Sequence, residues 1–292
     1  MEFSYLGGLT MSKIQIITDS TSDLSLEILR KYNIDVVPLY VVFNKNTYKD
    51  GVDITTDVLY EKVNELGELP KTSAPTPIDF YNVFKPHIDE GKDIIYIGLS
   101  SYLSTTIQNA KLAASEFPNA NIEIIDSHNL SAGIGLIVLK VVDYVNQGMD
   151  LKEIVENINN YTKKVRTYFA VDDLEYLQKG GRCSALQGFI GNMLKIRPIL
   201  KVIDGKISLY QKVRGKKEKS LNTTLDYVFE DKDILDTDRL VVIHSHAPEE
   251  FGYLKTEIEK NLNIKEIISL EAGCVISSHC GPKTIGIMYS VK

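Results

Sequence analysis

The 292-residue chain has no tryptophan, three cysteines, and no apolar run near the roughly 20 residues a membrane span requires. Cys183, Cys274 and Cys280 form no CxxC pair and are odd in number, which argues against a disulfide framework and predicts a reducing, cytoplasmic setting. Basic residues are the minority, 33 Lys and Arg against 39 Asp and Glu. That balance speaks against nucleic acid or an anionic membrane as partner. A glycine-rich phosphate loop is missing too. Where the strand-forming "KIQII" gives way to a helix pattern, residues 17–24 read "ITDSTSDL", without one glycine. The N-terminal "MEFSYLGGLT" has an acidic residue and no basic one, unlike a signal peptide. Residues 1–11 are expected to be a dispensable extension, with Met11 as an alternative or true start.

What remains is a globular composition, 43% hydrophobic and 25% charged. Apolar runs at 13–18, 35–43, 93–99 and 121–126 read as buried strands, and helical periodicity runs near 24–32, 56–66, 77–90, 103–117 and 130–147. Thr76 before Pro77 reads as a helix start, and Gly67 and Gly91 as helix stops. Strand–helix alternation predicts a parallel sheet flanked by helices. After a helix at 150–164, opened by Asp150, strands follow closely at 167–172, 197–204 and 206–213, with "DG" at 204–205 as a hairpin turn. Helices near 216–230 and 247–261 separate strands at 239–244, 265–270 and 284–290. The expected organisation is an α/β domain over 12–162 and a mixed α+β domain over 163–292.

Ligands of open parallel sheets bind outside the carboxyl ends of the strands. Three hydroxyl-rich loops fit that address: "TDSTSDL", "PKTSAPTP" (70–77) and "GLSSYLSTT" (98–106). Singly, each reads as helix capping, with Ser22 or Asp23 capping the first helix. Together they suit a small anionic group, a carboxylate better than a polyphosphate, because hydroxyls donate hydrogen bonds without a full charge. "TDSTSDL" is expected to form a wall of the crevice, since Asp19 and Asp23 would repel a carboxylate. "GLSSY" also approaches the G-x-S-x-G nucleophile elbow, with Tyr102 where the second glycine belongs; a serine acyl hydrolase using Ser100 or Ser101 is the competing function. "GIGLIV" (133–138) lies inside a helical pattern and reads as helix packing. "HSH" (244–246) lacks further ligands for a metal and reads as turn chemistry, and "KVRGKKEK" (212–219) as a solvated helix start.

In order and spacing, "TDSTSDL", "DGVDIT" (50–55), "KTSAPTP", "GLSSYLSTT", "DDLEYLQKGGR" (172–182), "KIRPIL" (195–200), "KVRGKKE" and "SSHCGPKTIG" (277–286) resemble the DegV family. The resemblance implies a DegV-like fold, an N-terminal α/β domain with a mixed C-terminal one. It implies a non-catalytic protein that needs no cofactor. It would bind a long-chain fatty acid such as palmitate or oleate and present it to a fatty acid kinase subunit, which forms an acyl phosphate for phospholipid synthesis. By the same resemblance Thr72 or Ser73, Ser100 or Ser101, and His279 hold the carboxylate, while Arg182 supports the site and Arg214 lies toward the kinase. The chain departs from the family pattern at Tyr102, Thr105, Cys274 and Lys283.

Overall fold

In a computed structural model, described over residues 13–172, 174–183 and 196–292, the first strand run becomes β1 (Ile14–Asp19). Residues 1–11, expected to be an extension, and Lys195 of "KIRPIL" lie outside the described residues. A 3-10 turn, Ser20–Ser22, separates β1 from α1 (Leu26–Lys31). Asp19 accepts from Thr21 N at 2.9 Å and caps this turn, which Asp23 ends at φ 53°. The expectation that Ser22 or Asp23 caps α1 is therefore corrected: Ser25 does so, accepting from Ile28 N at 3.3 Å. Ser22 and Asp23 are turned inward and buried.

The single strand expected at 35–43 is two, β2 (Asp35–Val37) and β3 (Tyr40–Phe43). Pro38 lies between them; lacking an N–H, it cannot continue a ladder, and the chain leaves one sheet for another there. After the hairpin partner β4 (Asn46–Lys49) come α2 (Thr56–Leu66), β5 (Lys71–Ser73), α3 (Pro77–Asp89), β6 (Asp93–Gly98), α4 (Thr106–Ala114) and β7 (Ile122–Asp126). The sheet β2-β1-β6-β7 is parallel throughout, and β4-β3-β5 is a small antiparallel sheet. Gly67 stops α2 at φ 64°, and Thr76 opens α3 through a reciprocal capping box with Asp79.

Helix α5 (Ala132–Asn146) carries "GIGLIV" and is buried over most of its length. It packs against β1 and β6 on one side and β8, β11 and β13 of the second half on the other. Gly133 permits this: a Cβ there would lie 2.2 Å from Asn129 Oδ1 and 2.7 Å from Thr167 Oγ1. Asp150 caps α6 (Leu151–Tyr161), accepting from Glu153 N at 2.9 Å. Then follow β8 (Val165–Ala170), α7 (Leu174–Gly180), β9 (Ile196–Ile203), β10 (Lys206–Arg214), α8 (Lys217–Glu230), β11 (Leu235–Ser245), α9 (Pro248–Asn261), β12 (Glu266–Glu271), α10 (Cys274–Cys280) and β13 (Thr284–Val291). The second sheet has the order β10-β9-β8-β13-β11-β12, antiparallel except for β11 with β12. Asp204 and Gly205, both at positive φ, make the tight β9–β10 turn that "DG" predicted.

Alternation along β13 sorts the two faces of this sheet. Ile285, Ile287 and Tyr289 join the core beneath α8 and α9, whereas Met288 belongs to a core shared with Ile97, Leu136 and Ile243. The site lies on that shared side.

Candidate functional site

A narrow apolar cavity of about 90 Å³ opens between the antiparallel sheet, the loop after β6, helix α10 and the inner face of β8, β11 and β13. Leu39, Leu99, Leu130, Phe169, Ile243 and Met288 form much of its wall. No aspartate or glutamate lines it among the described residues, and Arg182 is its one lining residue with a permanent positive charge. Such a slot suits a slender apolar chain with a neutral or anionic end.

The polar end is built from three short segments. Pairing with β3 holds β5 so that Thr72 faces Val41 across the ladder. Thr72 Oγ1 lies 2.7 Å from His279 Nε2 on α10. Gly180, the last residue of α7, fits against the imidazole: a Cβ there would lie 2.3 Å from His279 Nδ1. The glycines of "KGGR" thus have separate duties, Gly180 giving room to the ring and Gly181 turning the chain at φ 67°. Beyond them Arg182 donates from Nη1 to the Gly180 carbonyl at 2.7 Å.

Burial, with the Arg182 guanidinium adding to it, pushes the His279 pKa down to about 4, so the ring is neutral at neutral pH. Nδ1 is buried without a partner. An orphan buried N–H is rarer than an under-used acceptor, so Nδ1 carries the lone pair and Nε2–H donates to Thr72. The Thr72 proton is then left to point at a ligand. The Thr72 hydroxyl and the Arg182 guanidinium form the donor-bearing end of a largely apolar cavity, and beside them Ser73 donates to the Ala74 carbonyl at 3.3 Å.

The structure brings together Thr72, Ser73, His279 and Arg182, and places the other expected residues elsewhere. Ser100 is buried and donates to the Gly205 carbonyl at 2.8 Å, so its proton clasps the β9–β10 turn. Ser101 is exposed, its backbone N–H directed 3.3 Å from Asp126. Neither lines the cavity; Ser104, three residues on, does. At the competing serine elbow the Ser100 proton goes to the Gly205 carbonyl and not to a histidine, and Tyr102 is exposed beneath Lys206, whose Nζ lies 4.5 Å from its ring centre. Arg214 ends β10 on the surface, away from the cavity lining.

"TDSTSDL" lines no part of the apolar cavity and instead supports it. Asp23 accepts from Gly273 N at 2.9 Å, and Asp50 of "DGVDIT" accepts from Cys274 N at 2.8 Å. Two buried carboxylates thus hold the start of the helix that carries His279, and burial raises the pKa of both. Ser131 Oγ completes the Asp23 side at 2.5 Å. Of the departures, Lys283 occupies φ 61°, a left-handed position that favours glycine. Thr105 has φ -80° and needs no glycine. Gly281, at φ 75°, packs on Tyr176, where a Cβ would lie 2.8 Å from the ring. The expectation that "HSH" is turn chemistry is corrected: His244 and Ser245 end β11 and line the cavity, and only His246 turns, at φ 46° with Nε2 2.8 Å from Asp57; no metal-binding cluster exists among the described residues.

The DegV family model matches residues 13–292. A DegV domain-containing protein of Caldanaerobacter subterraneus is 35% identical over 283 residues, covering 97% of this chain and 100% of the relative. Among solved structures, a DegV family protein from Thermus thermophilus, described for its fatty acid binding, superposes with a TM-score of 0.88 at 30% identity, over 96% of this chain and 99% of that one. A stearic acid-binding protein from Eubacterium ventriosum also gives a TM-score of 0.88, at 28% identity, over 97% and 99% of the two chains.

Proposed function

The chain belongs to the DegV family, and on that premise we propose that it binds a long-chain fatty acid. The tail occupies the apolar cavity, and the carboxylate meets Thr72 and Ser73, with His279 orienting the Thr72 hydroxyl and Arg182 at the rim. The observation that carries this reading is the lining itself: largely apolar, free of carboxylates among the described residues, with the Thr72 hydroxyl and one arginine at one end. Relatives of the same fold that bind fatty acids support it.

The energetics divide naturally. Burying some fourteen methylenes yields roughly 11 kcal/mol gross, at about 0.8 kcal/mol each. Immobilising ligand and chain takes back part of that. Affinity then comes from the tail and orientation from the head. A carboxylate removed from water must recover its hydrogen bonds, and neutral hydroxyls do this without quenching it as a nucleophile. The finer reading is that the protein, itself non-catalytic and cytoplasmic, presents this carboxylate to a kinase subunit. The carboxylate oxygen attacks the γ-phosphorus of ATP, ADP leaves, and the acyl phosphate goes on to phospholipid synthesis. Arg214 and the basic segment after it are the surface offered to that subunit.

Mass spectrometry of an organic extract of the purified, denatured protein tests the first part. A fatty acid near one-to-one stoichiometry supports it. An empty extract, from protein that also takes up neither palmitate nor oleate, removes it. For the second part, Arg214→Glu should leave fatty acid binding intact and abolish acyl-phosphate formation with ATP and a bacterial fatty acid kinase subunit. Unchanged turnover would detach Arg214 from the kinase.

A further inference from the structure

Three buried hydroxyls interrupt the apolar wall of the cavity, and two of them, Ser245 on β11 and Thr284 on β13, lie directly opposite each other across the antiparallel ladder. Their protons are already committed. Thr284 Oγ1 donates to the Cys280 carbonyl at 2.8 Å. Ser245 sits in a chain of three hydroxyls, with Tyr60 OH at 2.6 Å and Ser277 Oγ at 2.9 Å. Ser277 in turn lies 3.2 Å from the Ala272 carbonyl, which can only accept.

One direction satisfies every proton in that chain: Tyr60 donates to Ser245, Ser245 to Ser277, and Ser277 to Ala272. In the reverse direction Ser277 donates to Ser245 and Ser245 to Tyr60, whose proton then returns to Ser277; the Ser245 proton is spent within the chain either way. Ser245 and Thr284 therefore turn only oxygen lone pairs toward the cavity. The third buried hydroxyl, Ser131, donates to the carboxyl of Asp23 at 2.5 Å. Ser104, which also lines the cavity, lies 2.8 Å from Thr106 Oγ1.

Resting on the fatty-acid reading, we propose that this pair of oxygens makes the cavity selective for the polarity of chain substituents. It takes acyl chains bearing a hydroxyl, which can donate to Ser245 or Thr284, and discriminates against chains bearing a carbonyl at the same carbon. A chain hydroxyl entering the cavity regains the hydrogen bond it loses to water. A chain carbonyl meets only acceptors and regains none.

The test is a series of monohydroxystearates and the oxostearates with oxygen at the same carbons, with stearate as reference, measured by direct calorimetric titration. At the carbon that reaches the pair, the hydroxy acid should bind about tenfold tighter than the oxo acid. Ser277→Ala, outside the cavity lining, removes the acceptor for the Ser245 proton and frees it to point inward; the preference at that carbon should shrink or invert. Equal affinities for hydroxy and oxo acids at every carbon, with stearate bound, would overturn the inference. A preference that Ser277→Ala leaves untouched would overturn the assignment to Ser245. Failure of stearate itself to bind would instead count against the fatty-acid reading.

Discussion

Thr72→Val removes one hydroxyl from the proposed head-group site and keeps the β-branched shape that β5 holds. Two effects should separate. In the unliganded protein His279 Nε2–H loses its acceptor, at 2.7 Å in the native chain, and this costs about 1–2 kcal/mol of stability. The same loss is present with ligand bound, so it largely cancels from the affinity. What affinity loses is the hydrogen bond from the Thr72 proton to a carboxylate, worth about 1.5–3 kcal/mol for a charged acceptor. At 1.4 kcal/mol per decade, Kd for palmitate should rise about 10- to 150-fold, while the tail keeps binding measurable. Ser100→Ala is the matched control. It loses the bond to the Gly205 carbonyl, so its urea midpoint should fall by the equivalent of about 0.5–1.5 kcal/mol, with Kd unchanged. Calorimetric titration and urea unfolding on both variants decide the matter. A silent Thr72→Val beside an Ser100→Ala that weakens binding would refute the assignment.

The folded-state pKa of His279, about 4, lies below its ordinary 6.5, so between those values the unfolded chain holds more protons. Stability should rise with pH across that window and be lost as pH falls through it, by up to about 3 kcal/mol; His279→Gln should flatten the urea-midpoint profile there. Lys283→Gly relieves a left-handed backbone at the expense of chain entropy, and a stabilisation of about 0.5–1 kcal/mol should appear in a thermal melt. Gly286→Val places a Cβ 3.1 Å from both Ile243 Cγ2 and Met288 Cε and intrudes on the cavity wall. Palmitate affinity should drop by about tenfold or more while octanoate changes little, and equal losses for both would mean the tail lies elsewhere. We expect 12–162 and 163–292 to be distinct in topology yet one unit in stability, because Ile97 and Leu136 share a core with Ile243 and Met288. The fragment 12–162 alone should show no cooperative melt by circular dichroism; a sharp one would separate the two.

Long periodic elements with strong end signals were legible in the sequence. Helix α2 spans the expected 56–66, and Thr76, Gly67 and Asp150 cap as their types predict. Short elements were not. Three residues of β5 and seven each of α7 and α10 carry too few positions to display a period, and all three build the head-group end. Thr72 and Ser73 of the T-S-A-P loop line the cavity, whereas in the serine-rich loop after β6 the lining serine is Ser104 and not Ser100 or Ser101. A row of hydroxyls does not announce which one is spent on backbone. Ser100 is consumed by a turn 105 residues away, a pairing visible only once the β9–β10 hairpin is in place.

The fit of Gly180 against His279 means that the least substantial residue in the chain can govern a site to which it brings no side chain. A methyl added at that position would collide with the imidazole and swing it off Thr72, disarming the head group while every hydroxyl and the arginine stayed in the sequence. Among relatives, an alanine or serine there would signal a changed ligand end more reliably than any exchange of serine for threonine, and for an engineer it is a switch operated by a single carbon.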